Sequence, residues 1–350
     1  MFSGLSKLAD KAFILGFFFP ALLGISGLLF ANRDIPLFGC WLTAALAAKK
    51  DISEMVALLF VLWVMAIFLM VLNLWVYRFL EGYHWPLNCA KAKGIQRDRA
   101  EKLRRKWTDA FEAYEKAANE AARIKAAHGE NAQFEQASGE EARLRWISKQ
   151  AEDAYRTAYP DNSDHILGTR LGNVTRSFEI YPSEVYGIEA IYAWPRLTTV
   201  IPKEFMSVLS DARAAVDMFM NLIVVSAIIS ATAFVRAILH HWLANDSAPP
   251  VPYFVSIGAI AGVISWFCYE MSIYSSIGWG EKVKSAFDVY LGDLAKKLGY
   301  EVPSSSKRER EFWGKWSDMF QFHWPKDMDT FKRVDEKGSD NKGFHLQRKR

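Results

Sequence analysis

"MVALLFVLWVMAIFLMVLNLWVY", residues 55–77, runs for 23 residues without a charged side chain. An α-helix rises about 1.5 Å per residue, so roughly 20 apolar residues cross a hydrocarbon layer about 30 Å thick. A surface helix of a soluble protein keeps one polar face, whereas this run is apolar all round, which fits lipid as its surroundings. Three more charge-free windows share the property: residues 12–31, 218–235 and 247–269, of 20, 18 and 23 residues. The near-zero mean hydropathy of the 350-residue chain therefore averages a very apolar half with a very polar one.

The first window follows Lys7 and Lys11 but is long for a signal-peptide core, and Leu29 stands where a cleavage site takes a small residue. An uncleaved first spanning helix is expected, kinked near Gly16 by Pro20, which has no backbone N–H. The loop between Arg78 and Asp217 carries 20 Lys and Arg, while residues 244–252 carry none. By the positive-inside bias both termini and the long loop belong in the cytoplasm of a bacterial inner membrane. The net charge of +4 then reflects a basic membrane face, and nucleic acid is the weaker reading. Cys40, Cys89 and Cys268 are too scattered for a disulfide framework or a zinc ribbon. No metal or cofactor is expected.

The spans read as two pairs. Apolar residues 36–48 are too short to cross and suggest an interfacial cap on the outer face. Ser226 and Ser230, with Gly258 and Gly262, form small-xxx-small faces that let helices three and four approach closely. Polar side chains inside a bilayer are costly and mark a pair, a path or a relay. Counting the helical rise places Asn73, Asn221 and Glu270 at one depth, with Arg78 a turn or so below. Glu270 is then within reach of Arg78. Arg236, with His240, His241 and Trp242 after it, is placed to snorkel to headgroups.

Between the pairs the pattern changes. Leu103, Trp107, Ala110, Tyr114, Ala117, Ala121 and Ile124 recur at alternating spacings of four and three, a heptad seam that Gly129 ends. A return helix over residues 133–159 presents Phe134, Leu144, Ile147, Ala151, Ala154 and Ala158, and Pro160 closes it. The expectation is an antiparallel coiled-coil hairpin over residues 98–159. A collar segment over 165–203 follows, with a helix ended by Pro182 and extended chain through "YGIEAIYAWPRLTTVIP". An amphipathic helix follows Gly280, a short one covers 312–322, and residues 326–350 read as a disordered basic tail. The resulting order is spans one and two (1–80), cytoplasmic domain (81–213), spans three and four (214–278), cytoplasmic helices (279–325) and tail.

The segment "TRLGNVTRSFEIYPSEVYGIEAIYAWPRL", residues 169–197, resembles one found in functionally uncharacterised bacterial multi-pass membrane proteins. It departs from that pattern where Val185, rather than Arg, precedes Tyr186 and Gly187. The resemblance implies that Arg170, Gly172, Asn173, Arg176, Glu179, Tyr186, Gly187, Trp194, Pro195 and Arg196 act together, and it implies no activity. Catalytic signatures such as GxxxxGK[ST], GxSxG and HExxH are absent from the sequence. Carboxylates of Glu179, Glu184 and Glu189 with His165 offer acid–base groups, but loop carboxylates more often pair with local Arg.

The fold expected is an all-α membrane protein, four transmembrane helices with a helical cytoplasmic domain containing the hairpin. The function expected is non-enzymatic: an oligomeric channel-like or membrane-perturbing effector answering a cytoplasmic signal or partner, with antiviral defence as one setting. The alternative is a membrane scaffold that recruits a soluble protein through the coiled hairpin. Partners are the lipid bilayer, further copies of the chain and a cytoplasmic protein.

Overall fold

A computed structural model describes residues 10–35, 52–240 and 249–334. The apolar cap expected over 36–48, Cys40, His241, Trp242 and the part of the expected tail beyond Val334 lie outside the described residues. Among the described residues the chain is helical with no strand; a single bridge joins Tyr300 and Arg333. The helices are α1 (Lys11–Ala31), α2 (Ile52–Leu80), α3 (Ala90–His128), α4 (Ala132–Ala158), α5 (Arg170–Tyr186), α6 (Ala190–Leu197), α7 (Lys203–Ile238), α8 (Val251–Lys297) and α9 (Ser306–Phe322). Helices α1, α2, α7 and α8 are long and apolar enough to cross a membrane. Contacts divide the chain into two units: Met1–Phe178 with Ser207–Lys282, and Glu179–Met206 with Val283–Arg350. Helices α5, α7 and α8 each contribute residues to both units.

In the first unit α1 carries the expected irregularity as a π-helical turn, Ile14–Phe18, two residues before Pro20. Proline cannot donate to the carbonyl four residues back, which is that of Gly16. Phe13, Phe17 and Ala21 of α1 pack on Ala66 and Leu69 of α2. On α7, Val225 and Ile229 lie where Cβ atoms at Gly24 and Gly27 would have to go, each 2.6 Å from the ideal position. A second apolar cluster joins Val76 and Leu80 of α2, Leu171 and Val174 of α5, Val216, Met220 and Ile223 of α7, and Cys268 and Ile273 of α8. Of the small residues, Ser230 Oγ donates to the Gly258 carbonyl at 2.8 Å, and a Cβ on Gly262 would stand 3.4 Å from Ser230 Oγ. Ser226 is buried but turns back to the carbonyls of Leu222 and Ile223 on its own helix.

Arg236 does not snorkel. It folds inward and pairs with Asp34, both side chains under a tenth exposed, and its guanidinium lies 4.4 Å from the Phe254 ring centre. The α1 chain end explains this: Asn32 Oδ1 and the Ala31 carbonyl also accept from Arg236, so one guanidinium caps the C-terminus of α1. Burial and the Arg236 hydrogen bond oppose each other at Asp34, and the bond wins, holding its carboxyl below the usual aspartate range.

Helices α3 and α4 double back on each other. Gly129 at φ +69° ends α3 and the Asn131 side chain caps α4 by accepting from Phe134 N at 2.9 Å. Every α3 seam position from Leu103 to Ile124 is less exposed than the charged residues beside it. On α4 Phe134, Leu144, Ala151 and Ala158 of the expected face are partly buried, while Ile147 and Ala154 are exposed and their neighbours Ser148 and Tyr155 are buried in their place. Tyr155 stacks on Trp107 with ring centres 5.9 Å apart, and Tyr159 OH donates to buried Gln96 Oε1 at 2.9 Å.

The second unit corrects two expectations. Pro182 sits inside α5 rather than ending it, and the aromatic stretch expected as extended chain contains helix α6. Short-range composition favoured a strand there. Burial of Ala190, Ala193 and Leu197 at helical spacing overrides it, with α6 packing on α9. Gly187, at φ +80°, makes the turn between α5 and α6, and a Cβ there would lie 2.8 Å from the Arg310 carbonyl. Phe312, Trp313 and Phe320 of α9 and Phe331 fill this unit's core.

Candidate polar site within the apolar helices

The residues expected as one polar layer separate into two groups. Asn73 and Asn221 are brought together, and the group that joins them is Asp217. Asn73 Nδ2 donates to Asp217 Oδ1 at 3.0 Å, and Tyr77 OH donates to the same oxygen at 2.8 Å. Asn221, one turn along α7, donates from Nδ2 to the Asp217 carbonyl at 2.9 Å and to the Gly16 carbonyl at 3.0 Å. That second acceptor is the carbonyl that Pro20 cannot serve, so the sequence defect in α1 is met by a side chain from α7. Gly16 allows the approach: a Cβ there would lie 3.2 Å from Asp217 Cβ. Asn73, Asp217 and Asn221 are 8%, 7% and 0% exposed. Arg213 stands one turn before Asp217, with Nε 3.9 Å from Oδ2, beyond hydrogen-bond reach, and its side chain is more than half exposed.

Glu270 and Arg78 take other partners. Arg170 Nη1 donates to both Glu270 oxygens, at 2.7 and 2.9 Å, joining the first residue of α5 to α8. Arg78 lies 4.6 Å above the Tyr83 ring. The Arg170–Glu270 pair is partly exposed, which places its net worth at about 1 kcal/mol or less.

Neither a known protein family nor a curated protein or solved structure matches this chain. Function has to be argued from its side chains.

The collar residues are divided by role. Asn173, fully buried, closes the turn before α5: its Nδ2 donates to the carbonyls of Leu167 and Thr169, and its Oδ1 accepts from Leu167 N at 2.8 Å. Thr169 Oγ1 accepts from Gly172 N at 3.0 Å, an N-terminal cap. A Cβ on Gly172 would fall on the Glu81 carbonyl, so α5 touches the end of α2 backbone to backbone. Arg176 and Glu179 are half-buried on α5, and both are engaged in polar or electrostatic contacts.

In the second unit Tyr181 and Tyr186 both donate to Asp288 Oδ1, at 2.9 and 2.8 Å. Burial and then the Asp288 bond push the Tyr186 phenol well above its ordinary range, so it stays a donor. Trp194 docks on Phe287 with ring centres 6.0 Å apart, and exposed Pro195 sits within α6. Arg196 Nη1 donates to Tyr192 O at 2.7 Å while its guanidinium lies 4.0 Å over Phe320. Trp85 and Trp324, which like Trp194 are followed by a proline, are largely exposed.

Asp217 and Asp288 were not singled out from the sequence. Asp217 stands just outside a charge-free window, so it read as a boundary. Its spacing was the available signal, since Arg213, Asp217 and Asn221 recur every four residues on one helix face.

Proposed function

We propose that the protein is a non-enzymatic inner-membrane effector that assembles from several copies and changes bilayer permeability when its cytoplasmic helices receive a signal. The observation that carries this reading is the Arg170–Glu270 pair, which ties the segment after the α3–α4 arm to a helix of spanning length. A force or ligand on the arm acts through Gly172, Asn173 and Arg170 on α8. Membrane-facing surface is abundant: Phe60, Val71, Leu74, Val263 and Trp266 are each more than 60% exposed, and lipid or neighbouring copies would cover them. In this reading both termini and residues 81–213 face the cytoplasm.

Planar-bilayer recording of the reconstituted protein tests it. Conductance is expected from the wild type, and Glu270→Gln should shift open probability by up to about 5-fold, as loss of a partly exposed pair worth about 1 kcal/mol or less would. The charge-swapped pair Arg170→Glu with Glu270→Arg should recover part of the shift. A protein that neither conducts nor releases dye from vesicles sinks the effector reading.

The second reading, a scaffold, is favoured by one feature of the arm: Trp146 is 62% exposed on α4 and Phe111 43% on α3. Alanine at both positions should leave thermal stability within about 0.5 kcal/mol of wild type, because neither side chain supports a core. If the scaffold reading holds, the same variant loses the partner that copurifies with the wild type, while its oligomeric state is unchanged.

A further inference from the structure

The Asp217 cluster contains more oxygen acceptors than its donors satisfy. Asn73 Oδ1 and Asn221 Oδ1 are both buried without a hydrogen-bond partner, and each belongs to a side chain more than nine-tenths buried. Their amide orientations are determined by their neighbours. A carboxylate only accepts, so Asn73 must turn Nδ2 to Asp217 Oδ1, and Asn221 must turn Nδ2 to the carbonyls of Gly16 and Asp217. Each planar carboxamide therefore holds its oxygen beside the nitrogen that touches the cluster, with no protein donor to meet it. A buried acceptor left unmet is costly, because it has given up water without a replacement donor.

Charge is also unbalanced. The neutral donors Asn73 and Tyr77 occupy Asp217 Oδ1, and Oδ2 has only Arg213 Nε at 3.9 Å, from a side chain directed largely to solvent. A buried carboxylate without a close counter-charge is expensive. One positive charge that also takes carbonyl-type oxygens would remove both deficits.

We propose that Asp217, Asn73 and Asn221 form a binding site for a single alkali cation such as sodium, at the contact of α1, α2 and α7. The π-helical turn at Ile14–Phe18 shapes it, since irregular backbone in a spanning segment is tolerated where it lines a polar site. A divalent ion is disfavoured by the donor set. Calcium and magnesium take several carboxylates or a hydrated shell, whereas the cluster offers one carboxylate with neutral amides. Among the described residues no group of three or more His, Cys, Asp or Glu side chains forms a metal cluster. The site is independent of whether the protein conducts, because binding alone is claimed.

Thermal unfolding of the full chain in detergent, at constant ionic strength, tests the proposal with sodium, potassium and choline chlorides. A saturable stabilisation by sodium, or by sodium and potassium, but not by choline is expected. Asp217→Asn and Asn73→Ala should each weaken apparent sodium affinity about tenfold or more, as loss of a direct ligand does. Asp211→Asn, whose carboxylate bonds Lys11 at an exposed position, should keep the response. Sodium NMR line broadening on the wild type covers the case in which the Asp217 variant does not fold: broadening relieved by lithium supports the site. Equal effects of all three salts, or no broadening, overturn it.

Discussion

Gly172→Ala is expected to destabilise the fold severely. The added methyl would fall on the Glu81 main-chain carbonyl, and a Cβ on Gly168 would likewise fall on the Leu87 carbonyl. Neither obstacle is a side chain that can rotate away, so α5 must move off the end of α2 and take with it the Leu171 and Val174 contacts of the apolar cluster. Overpacking of this kind costs roughly 3 kcal/mol or more, a large part of a domain's net stability. Gly280 makes a useful contrast, because its obstacle is the Phe178 ring, which can shift. Gly94→Ala should act in the opposite direction. Its surroundings on α3 hold nothing within 4 Å of the added atom, and alanine in a helix gains about 0.5–1 kcal/mol over glycine. Detergent melting curves with size-exclusion profiles compare the variants, and a Gly172→Ala protein that melts with the wild type would refute the backbone contact.

Arg236→Ala is expected to cost about 3–5 kcal/mol, since it removes the guanidinium that pairs with buried Asp34 and caps the end of α1. Replacing both partners, Asp34→Leu with Arg236→Met, should recover most of that loss, because an apolar pair leaves no unmatched charge. A double variant as unstable as Arg236→Ala alone would show that packing on Phe254, not the ion pair, is what matters. The pair also predicts acid sensitivity. Asp34 has a folded-state pKa below its unfolded value, so its contribution is complete above about pH 4 and is lost as pH falls through the folded value. Asp34→Asn should flatten that acid limb of the stability profile while lowering the plateau.

How far the candidate site could be read from the residues depended on distance along the chain. Asn73 and Asn221 drew notice because a polar side chain inside an apolar run is a local anomaly. Asp217 escaped because it lies at the margin of its run, and its importance comes from Asn73 and Tyr77, about 140 positions away. Glu270 was matched to Arg78 by depth alone, yet the lateral position of α5 delivers Arg170 to it instead. The α4 stripe shows the same limit. Alanine spacing put Ile147 and Ala154 on the inner face, where their neighbours Ser148 and Tyr155 are buried instead, Tyr155 against Trp107.

Length, charge-free runs, the Pro20 defect, the Gly129 stop and the small residues at Ser230, Gly258 and Gly262 were enough to determine four membrane-length helices, a doubled-back helical pair and the contact between helices α7 and α8. These are properties of a residue and its near neighbours, set by the thickness of a bilayer and the pitch of a helix. Which polar groups meet was decided only by the tertiary structure: Asp217 with Asn73, Tyr77 and Asn221, Arg170 with Glu270, and Arg236 with Asp34. The physical reason is that a buried charge is stabilised by whichever partner packing brings within about 3 Å, and such partners are found across helices rather than along them.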